Sequence, residues 1–368
     1  VSDDGGLQRS SFGTGIGSYP GFYRAIPRTS MPYGQAMAIL YLAECRPAPT
    51  TESAAGGRSL RVRSPIAIER EHGGESMRLV SVEVDGQERP GAVVAGQDGV
   101  DRVLDLGAIT GCATLAELLA DDAALAAARA AVGRADGALL PLLADVRLAP
   151  PVRPGKILCL GYNYAGHSEA GLGPEAPPYP NVFIKTPNTI NGPRDQVVMP
   201  RAATDVDYEG EIAVVIGRTA RDVDEADAMA HVAGYTLFND VSDRGWQNRA
   251  SQWALGKSVD GFGPLGPWVV TTDEVPDLPG RQMEVERDGV VTVLASTDAM
   301  VFGVAFLVHY LSQVITLQPG DIISTGTPAR SAEAQAAHVP LAHGDTVTVR
   351  VTGLGELTTT FVSMEETS

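Results

Sequence analysis

From Asp205 to Gly217 the chain passes from alternating acidic positions into the apolar run Ile212-Ala213-Val214-Val215-Ile216, which stops at a glycine. This pattern predicts a β-strand with one half at a rim and the other inside a core. Residues two apart on a strand share a face, about 6.5–7 Å from each other. Glu209 and Glu211 are therefore expected on one side, with Asp205 and Asp207 at the same parity. Two carboxylates at the edge of a core repel and lose hydration unless a cation lies between them.

The same reading extends along the chain. Leu79–Val84 and Gly91–Ala95 predict a hairpin around Asp85-Gly86, with Val103–Asp105 a further strand. Thr114–Val132 predicts one helix, with Thr114 as N-cap and Glu117 three residues on. Pro141–Pro154 reads as a linker and Lys156–Gly161 as a buried strand. Tyr162–Glu169 predicts a strand running into a short helix, and the Gly/Pro-rich Gly171–Pro180 a loop of the kind that covers sites. Asn181–Pro187 is a strand containing Lys185, Asp222–Val232 a short acidic helix, and Gly234–Asp240 a strand ending in an acid. Asp298–Ile315 predicts an apolar helix capped by Thr297 or Asp298, with His309 structural. Ile322–Ser324 is a buried strand, Arg330–Pro340 a loop insertion, and Asp345–Val351 with Glu356–Val362 a closing hairpin.

The first 76 residues show no sustained period and carry 8 basic against 7 acidic residues. They read as a disordered tail, expected to come from a translation start upstream of Met77. Their short apolar piece, Met37–Leu42, lacks the basic start and cleavage site of a signal peptide. The expected organisation is a tail over 1–76, a small α+β domain and linker over 77–150, and a catalytic domain over 151–368.

Charge and composition narrow the function classes. A net charge of −17 excludes a nucleic-acid surface. The apolar runs are too short to span a bilayer, so no membrane partner is expected. Three scattered cysteines form neither a disulfide framework nor a zinc site, which fits a cytoplasmic setting. Of 28 basic residues only Lys156, Lys185 and Lys257 are lysines. Lys156 is read as chance, whereas Lys185 and Lys257 sit in neighbourhoods where a compact ammonium serves better than a guanidinium fork.

Asp240 adds a third carboxylate at the end of a neighbouring strand. Three carboxylates without histidine or thiolate suit a hard cation, Mg²⁺ or Mn²⁺, with Asp205 and Asp207 as rival ligands. His167, with Glu169 two positions on, lies in a segment able to close over a pocket. Gly256-Lys257-Ser258 is not a phosphate-binding loop, because Ser251 stands where that motif needs glycine. Thr325-Gly326-Thr327-Pro328 offers hydroxyls and bare amides suited to a carboxylate.

Glu209-x-Glu211, Asn239-Asp240-Val241-Ser242-x-Arg244 with Gln247, Gly256-Lys257-Ser258 with Pro264-Leu265-Gly266-Pro267, and Pro319-Gly320-Asp321 with Thr325-Gly326-Thr327-Pro328 follow one another at compatible spacing. Over about Lys156–Val362, and more weakly over Met77–Ala149, the chain resembles the fumarylacetoacetate hydrolase family. The resemblance implies an α+β chain with a mixed, β-roll-like catalytic fold, a divalent metal, usually Mg²⁺, and a homodimer. It implies Glu209, Glu211 and Asp240 as metal ligands and His167 as the lid histidine. Lys257, Arg244, Gln247, Lys185 and Thr327 match substrate-side positions. The chain departs from the family at Gly166, often acidic there, and at Ala170, where the lid glutamate usually lies and Glu169 comes one residue early. Lys185-Thr186-Pro187 also replaces the usual Lys-Pro.

The function expected is metal-dependent cleavage of a carbon–carbon bond in a β-diketo acid of the acylpyruvate or fumarylpyruvate kind. His167, aided by Glu169, would activate water, and Lys257 would balance developing charge. The alternatives are an isomerase, decarboxylase or lyase acting on a 2-oxo or 2-hydroxydienoic acid, and a metal-binding protein without turnover.

Overall fold

The acidic-to-apolar stretch forms its strand at Gly210–Ile216, buried along its whole length. Side chains alternate across it. Ile212, Val214 and Ile216 enter one core, and Ala213 and Val215 enter another. A sheet is thus buried on both faces, which explains an apolar run without polar interruptions. The computed structural model describes residues 77–166 and 177–364.

This strand lies within a mixed sheet. The order is Asp101–Asp105, Gln87–Ala95, Arg78–Val84, Gly263–Thr271, Val232–Asn239, Gly210–Ile216, Ile322–Ser324, Ile157–Gly161 and Asn181–Lys185. Neighbours along this path are antiparallel except Ile322–Ser324 and Ile157–Gly161, which run parallel. A smaller sheet, ordered Val290–Ser296, Gln282–Arg287, Thr346–Val351, Gly355–Ser363 and Val197–Met199, covers one face. Its Met283, Val285, Val347 and Val349 share a core with Ile212 and Val214. Helices Leu115–Ala120 and Asp122–Val132 cover the other face through Leu115, Leu118, Ala124 and Ala128. This is the α+β, mixed-sheet architecture expected. At the sheet–sheet contact, a Cβ on Gly210 would stand 2.5 Å from Val285 Cγ2 and 2.9 Å from Val349 Cγ2, so only glycine allows this approach.

The hairpin turns at Asp85-Gly86 as read, and its strand Arg78–Val84 joins the large sheet beside Gly263–Thr271. The expected linker contributes a short strand, Leu148–Ala149, to the same edge.

Several elements differ from the sequence reading. The acidic strand is interrupted: Val206–Asp207 pairs with Ser242–Asp243, and Tyr208 and Glu209 lie between it and Gly210–Ile216. Asp207 turns the backbone there, its carboxylate accepting from Tyr208 N at 2.8 Å and pairing with Arg244 and Arg330. Thr114–Val132 is two helices. Thr114 caps the first, but Asp121 ends it and caps the second through Ala123 N and Ala124 N. The Asp298–Ile315 region holds a 3₁₀ turn, Thr297–Ala299, capped by Ser296, and a helix limited to Val304–Ser312. Thr297 is drawn inward instead, its hydroxyl donating to Leu278 O. The acidic helix is a 3₁₀ segment, Glu225–His231, and the Arg330–Pro340 insertion contains a short helix, Ala332–Ala336. His309 is structural, its Nδ1 2.7 Å from Val223 O. Lys156, read as chance, pairs with buried Asp321 at 2.6 Å. Residues 1–76 and 167–176, including His167 and Glu169, lie outside the described residues. Among the described residues no helix is long and apolar enough to cross a membrane.

Candidate active site

Strand pairing brings the three carboxylates together. Gly210–Ile216 runs antiparallel to Val232–Asn239, with Glu211 opposite Phe238 and Gly210 opposite Asn239. Asp240 N donates to Glu209 O at 2.9 Å, which extends the pairing by one step. Glu209, Glu211 and Asp240 thereby share a face, and one carboxylate oxygen of each lies within 4.8 Å of the others.

Two lysines and an arginine close around them. Lys257 Nζ lies 2.5 Å from Glu209 Oε2 and 2.6 Å from Asp240 Oδ2. Arg244 Nη2 donates to Glu209 Oε1 at 2.6 Å, and its Nη1 to Gln247 Oε1 at 2.9 Å. Lys185 is fully buried behind Asp240. Its Nζ donates to Val241 O at 2.9 Å and sits 2.7 Å from Asp240 Oδ1, in ion-pair contact but out of line for a hydrogen bond. Glu211 is held by neutral donors instead, Ser324 Oγ and, at 3.0 Å, Gly326 N.

These surroundings split the two glutamates electrostatically. Burial, then the charges of Asp240 and Glu209, push Glu211 up to about 8. Burial would also raise Glu209, but Arg244 and Lys257 outweigh it and hold that carboxyl well below its ordinary range. Burial works against the Lys257 ammonium, yet Asp240 and Glu209 dominate and raise it. For Lys185 burial wins, and its pKa falls despite Asp240.

Asp207, a rival ligand on parity, is taken up elsewhere. It accepts from Arg244 Nε at 3.0 Å and Nη2 at 2.9 Å, and also from Arg330 Nη2. Burial would raise this carboxyl, but the two guanidinium groups lower it. Asp207 thus orients the arginine that clamps Glu209. The other rival, Asp205, is not among the converging group; its carbonyl accepts from Arg244 N at 2.7 Å.

A cavity of about 230 Å³ opens over Glu209 and Glu211. Glu209, Glu211, Arg244, Gln247, Lys257 and Thr327, all singled out in the sequence, line it. Lys185 and Asp240 do not; Asp240 is fully buried, with Lys185 in ion-pair contact with it. The sequence reading did not single out Tyr162, Asn248, Trp253 or, beyond its place on a strand, Phe183, which also line the cavity. Nor did it assign roles to Arg330 and Ser324, which are fixed by partners more than 100 positions away.

Comparisons with known proteins bear on the family. A family model described as the fumarylacetoacetate (FAA) hydrolase C-terminal region matches residues 156–362. A protein of Burkholderia ambifaria (strain MC40-6), provisionally named a hydrolase, is 45% identical over 285 residues, covering 76% of this chain and 97% of its own. The maleylpyruvate hydrolase of Sphingobium sp. SYK-6, solved with manganese(II) and pyruvate, is similar at a TM-score of 0.64 and 30% identity, over 78% of this chain and 100% of that one. A 5-carboxymethyl-2-hydroxymuconate delta-isomerase of Mycobacterium smegmatis is similar at a TM-score of 0.61 and 34% identity, over 79% of this chain and 100% of that one. With its motifs in order, its mixed sheet and its convergent carboxylates, the chain belongs to the fumarylacetoacetate hydrolase family and is an enzyme of its hydrolase and isomerase group.

Proposed function

We propose that the enzyme is a divalent-metal-dependent hydrolase that cleaves a carbon–carbon bond in a 2,4-dioxo acid of the acylpyruvate type. The observation that carries this reading is the convergence of Glu209, Glu211 and Asp240, with Lys257 bridging Glu209 and Asp240, beside a cavity that Glu209, Glu211 and Lys257 line. Their donor set is all carboxylate oxygen, which fits Mg²⁺ or Mn²⁺ better than zinc. Glu211, pushed up to about 8, is the group that a cation would relieve most. When bound, such an ion supplies Lewis acidity towards the oxygens of a 2-oxo acid. The manganese and pyruvate of the Sphingobium structure support the same reading.

The protein groups divide the remaining work. Thr327, Gln247 and Arg244 line the cavity where a substrate carboxylate would be oriented. His167, aided by Glu169, takes a proton from the water that attacks the distal carbonyl. The carbon–carbon bond then breaks, its electron pair passing to the pyruvate fragment, which regains a proton. The Lys257 ammonium offsets the charge that develops there. A homodimer belongs to this reading, and light scattering of the purified chain checks it.

The isomerase reading is favoured by one observation, the likeness to the Mycobacterium smegmatis isomerase at 34% identity. Assays of the full chain on acetylpyruvate and related 2,4-dioxo acids, with Mn²⁺, Mg²⁺ or a chelator, decide. Hydrolysis releases pyruvate and a carboxylic acid in equal amounts, and the chelator abolishes it. An isomerised product without pyruvate replaces the hydrolase reading; turnover indifferent to chelator overturns the metal assignment.

A further inference from the structure

We infer that the substrate's tail, beyond the carbonyl that is attacked, is a neutral apolar or planar group, aryl or alkyl, rather than a second carboxylate. This names the substrate class within the function proposed above and rests on that reading. The inference comes from the wall of the cavity. Phe183 begins it beside the charged floor, with Lys257 Nζ 4.7 Å from its ring centroid. Trp253 continues it, 5.3 Å from Phe183 at an interplanar angle of 67°. Tyr162 follows, 6.0 Å from Trp253 at 81°.

The indole is a built surface. It lies against the bare backbone of Gly161, where a Cβ would stand 3.2 Å from Trp253 Cζ3 and 3.3 Å from Cη2. Phe183 and Tyr162 each meet it in a T-shaped contact, which ties its position to theirs.

Charge separates this wall from the floor. Among the described residues, the cationic side chains lining the cavity are Arg244 and Lys257. Arg244 pairs with Asp207 and Glu209 and Lys257 with Glu209 and Asp240, and in the reading above both also serve the 2-oxo acid head, so neither is left for a charge on the tail. A carboxylate held at Trp253 and Tyr162 would lose hydration without an uncommitted cation to receive it. An aryl or alkyl group would stack and bury apolar surface with no such loss.

The test reads binding separately from chemistry. 2-Oxo-4-phenylbutanoate and 2-oxoadipate carry the same 2-oxo acid head but lack the 4-oxo group, so neither can be cleaved. Calorimetric titration of the full chain with Mn²⁺ should show the phenyl compound binding at least about tenfold more tightly, the scale of apolar-pocket discrimination. Trp253→Ala should bring the two within about threefold while pyruvate affinity changes little, and Trp253→Phe should keep most of the preference. Equal or tighter binding of 2-oxoadipate by the unaltered chain, a preference that survives Trp253→Ala, or no binding of either compound overturns the inference. A tail preference without pyruvate release from any 2,4-dioxo acid overturns the hydrolase reading alone and leaves the wall assignment standing. Cleavage that is fastest with a diacid overturns the wall assignment alone.

Discussion

Glu-x-Glu occurs twice among the described residues, once at the entrance to a strand and once within one, and the two meet different ends. Glu209 and Glu211 converge with Asp240 in a buried group served by several cations and neutral donors. Glu284 and Glu286 lie on Gln282–Arg287 in the small sheet, and among the described residues Arg350 alone answers them, from Nη1 to Glu284 Oε1 at 2.9 Å and Glu286 Oε2 at 2.8 Å. Its Nε also reaches Glu356 at 2.9 Å. Each cluster holds three carboxylates, yet among the described residues only the first brings all three within metal-binding reach. The difference lies in what faces the strand. In the small sheet the facing residue is Arg350, whose Nη1 bridges the pair. In the large sheet it is a strand ending in another acid, Asp240, so the charge is concentrated before it is balanced.

The largest expected effect comes from exchanging the two motifs' chemistry. Glu211→Gln should lower Mn²⁺ affinity by about a hundredfold or more in calorimetry and abolish turnover, since a hard cation loses one of its three charged ligands. Glu284→Gln should leave both unchanged. Equal metal affinity in the two variants would erase the distinction between the clusters.

Acidity gives a smaller, continuous test. With Glu211 at about 8, metal uptake below that pH must displace its proton, so Mn²⁺ affinity should rise by about tenfold per pH unit and level off above it. In the metal-free protein the sign for stability is the reverse. A carboxyl raised in the folded state leaves the fold binding more protons than the unfolded chain between 4.5 and about 8. Stability should therefore fall across that window, and saturating metal should flatten the loss. Thermal melts with and without Mn²⁺ read this directly, and Glu211→Gln should lack the slope.

The smallest effect belongs to the small sheet. Glu356 is 49% exposed, so Glu356→Gln should cost about 0.2–1 kcal/mol, a melting shift of a few degrees at most, with turnover intact. A loss of turnover would show that the two clusters are coupled.

The triad was legible because it depends on local parity. Glu209 and Glu211 are two apart, Asp240 ends an apolar run, and antiparallel pairing does the rest. Asp207 shows the limit of that reasoning. Parity made it a rival ligand, and only the fold brings Arg330, 123 residues away, onto its carboxylate. Trp253, Phe183 and Tyr162 escaped for a related reason: aromatic residues near strands read as ordinary packing, and nothing local says that three of them border a cavity. The broken helix at Asp121 carried a signal that was overlooked, an aspartate with cap chemistry in mid-period. Mixed parallel and antiparallel order was beyond pattern reading, since Ile322–Ser324 pairs with Ile157–Gly161 across more than 150 residues.

Gly210 sits between the two glutamates of one motif, and Val285 sits between the two of the other, so the motifs meet back to back at their middle residues. Mutational history at these positions is consequently not free to run in any order. Gly210→Ala would drive a methyl group into Val285, and as a single step it should be rejected. After Val285→Ala the same step meets open space on that side, although Val349 still limits it. A library that randomises Gly210, Val285 and Val349 together should recover functional combinations absent from any single-position library, an epistasis set by the gap between two sheets rather than by the chemistry on either side of it.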